Sequence, residues 1–227
     1  MNTLVLLNSA STGYVEGHKL VLPYLDYLGV PYALVDLART PLPSNVGDYA
    51  LIVVAQRRLD PLGTRLAPAD RQALLAAVGA GVGLVSFDPT LPAPAEIGAS
   101  ARRGATQAET IEFAARSHYI TARHTSGETL HLAGPLHLPA LAAGDDGVLV
   151  SAGGRPLVAV AGLGRGRVAQ WATARWMHSG ILGPLAGLDD VLWRSLVWAA
   201  RKPFALRGLA PLVTMRVDDV AGRGGLW

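Results

Sequence analysis

The sequence predicts an α/β fold built on a mostly parallel sheet. Three observations carry that reading. Ala50-Leu-Ile-Val-Val-Ala55 is a continuous apolar run of strand length, as expected of a strand buried on both faces. Ala67 to Val78 follows with helical spacing, and Pro68 suits a first helical turn. Gly79, Gly81 and Gly83 then stop the helix, and Leu84-Val-Ser-Phe87 is a second buried strand. Strand, helix and strand in this order form one crossover unit of a parallel sheet.

The remaining elements fit around this unit. Thr3 to Leu7 reads as the first strand, and Asn8 to Gly13 as a small polar turn at its end. A helix is expected from about His18 to Leu28, with Val21, Tyr24, Leu25 and Leu28 on one face. Pro23 falls in its first turn or kinks it. Gly29 to Asp36 gives a turn and a second strand. The order β-α-β-β-α-β up to Asp88 fits a flavodoxin-like doubly wound sheet.

Beyond Phe87 an antiparallel β region is expected. Pro89 to Thr106 reads as a long loop rich in Pro, Ala and Gly. Thr110 to Arg123 and Glu128 to Leu132 read as short strands around Ser126-Gly127. Asp145-Asp-Gly147 is a turn between Leu138–Ala143 and Val148–Ser151. Pro156–Ala161, Gly162–Gly166 and Arg167–Trp171 read as a hairpin. Asp189 and Asp190 open a helix through about Ala200, their charges favourable at its amino end. Trp193 and Trp198 on it read as packing residues. Residues 1–202 are expected to form one α/β domain. Residues 203–227 read as a connector and one more strand, Leu212–Val217, ending at Asp218-Asp219.

Composition narrows the function classes. The chain has 227 residues, of which 50% are hydrophobic and 16% charged, so a packed core is expected. Net charge is +3, yet the arginines are scattered through loops, which argues against a nucleic-acid face. Cysteine is absent, which excludes disulfides, thiolate metal sites and a cysteine nucleophile. The start has no basic region before its short apolar run, and no stretch reaches the roughly 18 apolar residues of a membrane span. The expectation is a soluble cytoplasmic protein.

Ligands of such sheets bind at the carboxyl ends of the strands. The candidate ligand-binding residues are therefore Ser9, Ser11, Thr12, Gln56, Arg57, Arg58 and Asp88. Backbone N–H groups of the first turn could cradle an anion, and Arg57 and Arg58 could hold one with paired guanidinium groups. The expected partner is a small anionic or carbohydrate ligand. Four histidines, His118, His124, His131 and His137, pair by strand parity and could be metal ligands or edge-strand residues. Ser86 could be a nucleophile, and His178 could line a cleft.

Three stretches, taken together, resemble the class I glutamine-amidotransferase-like superfamily, in its non-catalytic branch. Asp48-Tyr-Ala-Leu-Ile-Val-Val54, with the following helix and Gly79-Ala-Gly-Val-Gly-Leu-Val85, is similar to its "DYDLIIV … AGGGLV" pattern. His118-Tyr-Ile-Thr121 looks like "HPIT", and Gly164-Arg-Gly-Arg-Val168 looks like "GKGRV". True amidotransferases carry a Cys in a G-x-C-x-G elbow and, later, a His-x-Glu pair. Here the elbow position reads Ser86-Phe87-Asp88-Pro89, and Trp176-Met-His178-Ser-Gly180 lacks a Glu. The resemblance implies the fold and a catalytically silent domain, with no cofactor.

Thr214-Met-Arg-Val-Asp-Asp219 resembles the opening "T-F-D-D" of polysaccharide-deacetylase-like barrels. That likeness implies a general base at Asp218 and a divalent-metal ligand at Asp219, in a longer protein that supplies the family's His-x-x-x-His ligands. One carboxylate cannot hold such an ion alone, so no metal and no deacetylase activity are expected of this chain. The implied function is an accessory or ligand-binding domain of a larger carbohydrate deacetylase-like protein. The alternative is a hydrolase using Ser86 or a histidine-bound metal.

Overall fold

A computed structural model describes residues 2–92, 95–97, 106–141, 143–183 and 188–201. The nine strands are β1 (Thr3–Leu7), β2 (Tyr32–Asp36), β3 (Leu51–Val54), β4 (Gly83–Ser86), β5 (Thr106–Phe113), β6 (Thr129–Leu138), β7 (Val148–Ala152), β8 (Arg155–Leu163) and β9 (Gly166–Trp171). They form one sheet in the order β2-β1-β3-β4-β9-β8-β7-β5-β6. The first five strands of that order pair in parallel, and the remaining pairs are antiparallel. The fold is therefore α/β with a mixed sheet. The sheet is parallel at one end and the expected antiparallel region is present, but that region holds half of the strand pairs and continues the same sheet.

In the parallel half every residue of β1, β3 and β4 is buried. Alternate side chains enter two separate cores. Val5, Leu7, Leu51, Val53 and Val85 face one, with Val21 and Leu25 of the first helix and Leu192 and Leu196 of the last. Leu4, Leu6, Ile52, Val54 and Leu84 face the other, with Leu74, Ala77 and Val78 of the Pro68–Gly79 helix. The continuous apolar runs have this cause: both faces are covered. By contrast, the buried residues of β5, β6 and β7 all join the first core.

Three local readings change. The first helix starts earlier than expected, at Tyr14, and continues through a π-helical stretch, Gly17–Val21, into Leu22–Tyr27. Pro23 has no N–H to give to the ladder, and the wider turn just before it, where Leu22 N–H reaches the Gly17 carbonyl, accommodates its ring. Residues 118–124 are not strand; Tyr119–Thr121 is a 3₁₀ turn, because His118 Nδ1 accepts the Ile120 N–H at 3.1 Å and turns the chain. β6 runs unbroken to Leu138 through Pro135, which a strand at the sheet edge tolerates.

Candidate functional site

The carboxyl ends of β1, β3 and β4 meet as the topology requires, and their polar side chains bond mainly to backbone groups of these same strand ends and loops. Gln56 Oε1 accepts the Asn8 N–H at 2.8 Å, and its Nε2 donates to the Asn8 carbonyl at 3.3 Å. Ser11 Oγ donates to the Arg58 carbonyl at 2.5 Å. Ser9 N–H donates to Asp36 Oδ1 at 2.9 Å. Asp88, only 2% exposed, accepts the Leu59 N–H at 2.8 Å on one oxygen and the Thr90 N–H and hydroxyl on the other. Thr12 and Arg58 are exposed, Arg58 with a left-handed backbone at φ 53°.

Ser86 belongs to the same lattice. It is fully buried; its hydroxyl accepts the Asp88 N–H and lies 2.7 Å from the Leu91 carbonyl. From the neighbouring strand β9, Gln170 Nε2 donates to the Asp88 carbonyl at 2.7 Å and the Ser86 carbonyl at 3.3 Å. No histidine among the described residues hydrogen-bonds to this serine.

One turn away the arrangement opens. Gly13 seats the first helix against the β3 loop so closely that a Cβ there would lie 1.9 Å from the Arg57 carbonyl oxygen. This seating brings Glu16 to Arg57, whose Nε and Nη2 donate to its two oxygens at 3.0 and 2.7 Å. Arg175, after β9, adds its Nε to Glu16 Oε1 at 2.8 Å. Burial alone would raise the Glu16 pKa, but the hydrogen bonds and charges of the two guanidinium groups outweigh it and hold the carboxyl below its ordinary range. The same bond raises the pKa of Arg57.

Beside this triad lies an open cleft of about 440 Å³, lined by Val15, Glu16, Lys19 and Leu20 of the first helix and by Arg175, His178 and Ile181 of the segment after β9. Val15, Leu20 and Ile181 make an apolar lining; Lys19, Arg175 and His178 supply positive or proton-donating groups. His178 Nδ1 accepts the Gly180 N–H at 3.1 Å, which leaves Nε2 as the donor of the neutral ring. Tyr24, further along the same helix, faces Asp189 of the last helix. Burial first, and then that carboxylate, push its phenol pKa up, so it stays a neutral hydroxyl.

Of the sequence-derived candidates, His178 lines the cleft and Arg57 reaches its charge network through Glu16. Glu16, Lys19 and Arg175 were not legible as a site. Glu16 and Arg175 lie 159 residues apart, and no local spacing links them. The histidines separate as well. His124 bridges Glu128 at 3.0 Å and Asp190 at 3.2 Å and stacks on Phe113. The His124 hydrogen bond draws the Glu128 pKa down. His131 and His137 are exposed on edge strand β6. Among the described residues no three of His, Cys, Asp or Glu are grouped to hold a metal ion. None of their helices is long and apolar enough to cross a membrane. The strand expected at Leu212–Val217, and Asp218-Asp219, lie outside the described residues.

No protein-family model matches the chain, and no curated protein matches it. Solved structures do. A cytoplasmic protein from Salmonella typhimurium LT2 is similar at TM-score 0.56 and 17% identity, over 88% of this chain and 98% of that one. A ThuA-like protein from Parabacteroides merdae is similar at TM-score 0.61 and 16% identity, over 88% and 90%. A carbohydrate deacetylase is similar at TM-score 0.54 and 20% identity, over 88% of this chain but 32% of that one. What is shared is the fold.

Proposed function

We propose that this chain is a catalytically silent, amidotransferase-like domain that binds a small anionic or carbohydrate ligand and serves a larger carbohydrate deacetylase-like protein. The observation that carries the binding reading is the cleft beside the Glu16–Arg57–Arg175 triad. Its cationic groups and apolar lining suit a ligand with one anionic end and a less polar body. The ring of Arg57 and Arg175 around Glu16 fixes the cleft wall, and Lys19 and His178 Nε2 remain to meet the ligand.

The silent reading rests on the strand ends. An acyl-transfer site needs a nucleophile, a base within hydrogen-bond reach and a group that orients the base. Ser86 instead bonds to backbone groups and is buried. The accessory role draws support from the deacetylase likeness, which covers a third of that enzyme's length, and from the sequence resemblance at Asp218-Asp219. Metal binding is proposed only for a longer protein that adds the missing ligands to Asp219. The word cytoplasmic in the Salmonella protein's name suggests the same setting here.

Titration with glucuronate and with glucose 6-phosphate, followed by calorimetry, tests the binding reading. Saturable binding that Lys19→Ala weakens supports it; no heat with either compound sinks it. Turnover of glutamine by the purified chain would contradict the silent reading.

A further inference from the structure

On the other half of the sheet a second cleft, of about 420 Å³, opens between β8, the Asp145–Gly147 turn and the end of the last helix. Arg116, His118, Asp146, Arg167 and Trp198 line it together with glycine backbone. Arg167 is fixed as a wall. Its Nη1 donates to the Trp198 carbonyl at 3.2 Å, and its guanidinium sits 5.1 Å from the centre of the Trp198 ring. His118 meets the edge of the same ring at 5.2 Å. Because His118 Nδ1 accepts the Ile120 N–H, the neutral ring carries its proton on Nε2, and this nitrogen is a donor. Arg116 is exposed and makes no ion pair among the described residues.

We propose that this cleft is a second ligand site, which binds a small hydroxylated oxyanion such as a sugar phosphate or uronic acid. Arg116 and the His118 Nε2–H donate to the anionic group, Arg167 adds charge from a fixed position, and the exposed Asp146 at the rim accepts from ligand hydroxyls. Asp146 also sets a limit: a ligand with a second anionic group on that side is repelled. The surroundings of His118 agree. Burial first, and then the charges of Arg116 and Arg167, hold its pKa below the ordinary value, and an oxyanion would neutralise the charge of these two guanidinium groups.

The site is independent of the Lys19–Arg175 cleft, so one series of variants separates the two. In the full chain, the His118 ring is followed by NMR while inorganic phosphate, and then glucose 6-phosphate and glucuronate, are added. The expected result is saturable movement of the His118 ring signals and a rise in its pKa with each oxyanion. Arg116→Ala should weaken that binding by about tenfold, the worth of one charged hydrogen bond, with an unchanged melting temperature. Lys19→Ala should leave it unaffected. Phosphate tighter than both sugar acids would identify a plain phosphate site and overturn the hydroxylated-ligand part. Ring signals that stay still, or binding equal in wild type and Arg116→Ala, would overturn the whole proposal.

Discussion

The carboxyl ends of β1, β3 and β4 and the cleft beside the first helix treat polar groups in opposite ways. At the strand ends Gln56, Ser86, Asp88 and Gln170 are buried and tied to backbone carbonyls and N–H groups. In the cleft Lys19, Arg175 and His178 stand exposed. A buried polar group must find partners inside the protein, so the strand ends build a rigid lattice. In the cleft Arg175 is held by Glu16, while Lys19 and His178 stand where a ligand can reach them. On the reading proposed here, the topological edge expected to carry function serves as the frame, and the chemistry open to a ligand sits on the helix seated against it.

The sharpest way to break this contrast is to unseat that helix. Gly13→Ala would push a methyl into the Arg57 carbonyl, and it should destabilise the chain by about 3 kcal/mol or more, read from denaturant midpoints, because backbone rather than a flexible side chain must move. Next comes the lattice. Asp88→Ala leaves the buried Leu59 N–H and the part-buried Thr90 N–H without their acceptor, so a loss of about 2 kcal/mol is expected with little change in ligand affinity. A variant that kept its stability and lost binding would reverse the roles assigned to the two regions.

Glu16→Gln probes the border. It should cost about 1–2 kcal/mol, since a partly buried pair loses its charge. It should also tighten anion binding several-fold, because Arg57 and Arg175 then lack a carboxylate partner. The pH dependence follows from the lowered Glu16 pKa. Its contribution is complete above the ordinary glutamate value of 4.5 and is lost as pH falls through the lower folded value. Acid unfolding curves of wild type and Glu16→Gln should therefore converge below that range. Arg175→Ala is the smallest change: its side chain is 45% exposed, so stability should move by less than about 1 kcal/mol while ligand affinity falls.

How much of this was legible in the sequence differs between the regions for the same physical reason. Strands buried on both faces print themselves as unbroken apolar runs, so Thr3–Leu7, Ala50–Ala55 and Leu84–Phe87 could be read directly. The Gly162–Gly166 hairpin turn and the Asp189-Asp190 helix start were equally plain, because each depends on neighbours in sequence. The mixed sheet was only half legible. The strand read as Glu128–Leu132 in fact runs on to Leu138 at the sheet edge, and His118 turns the chain with its own ring, where strand parity suggested extension. Topology placed Gln56, Arg57 and Asp88 at one edge correctly, but residue type could not tell a lattice from a binding surface. Most of the cleft was hidden: His178 could be read as a cleft residue, but Glu16, Lys19 and Arg175 come from two distant segments with no shared spacing.

The most direct test of the central claim is a map of amide shifts in the full chain on titration with glucuronate. The account expects saturable shifts over Val15–Leu20 and Arg175–Ile181, with the amides of Gln56, Ser86 and Asp88 nearly still. Shifts centred on Gln56, Ser86 and Asp88, with the first helix unmoved, would contradict it.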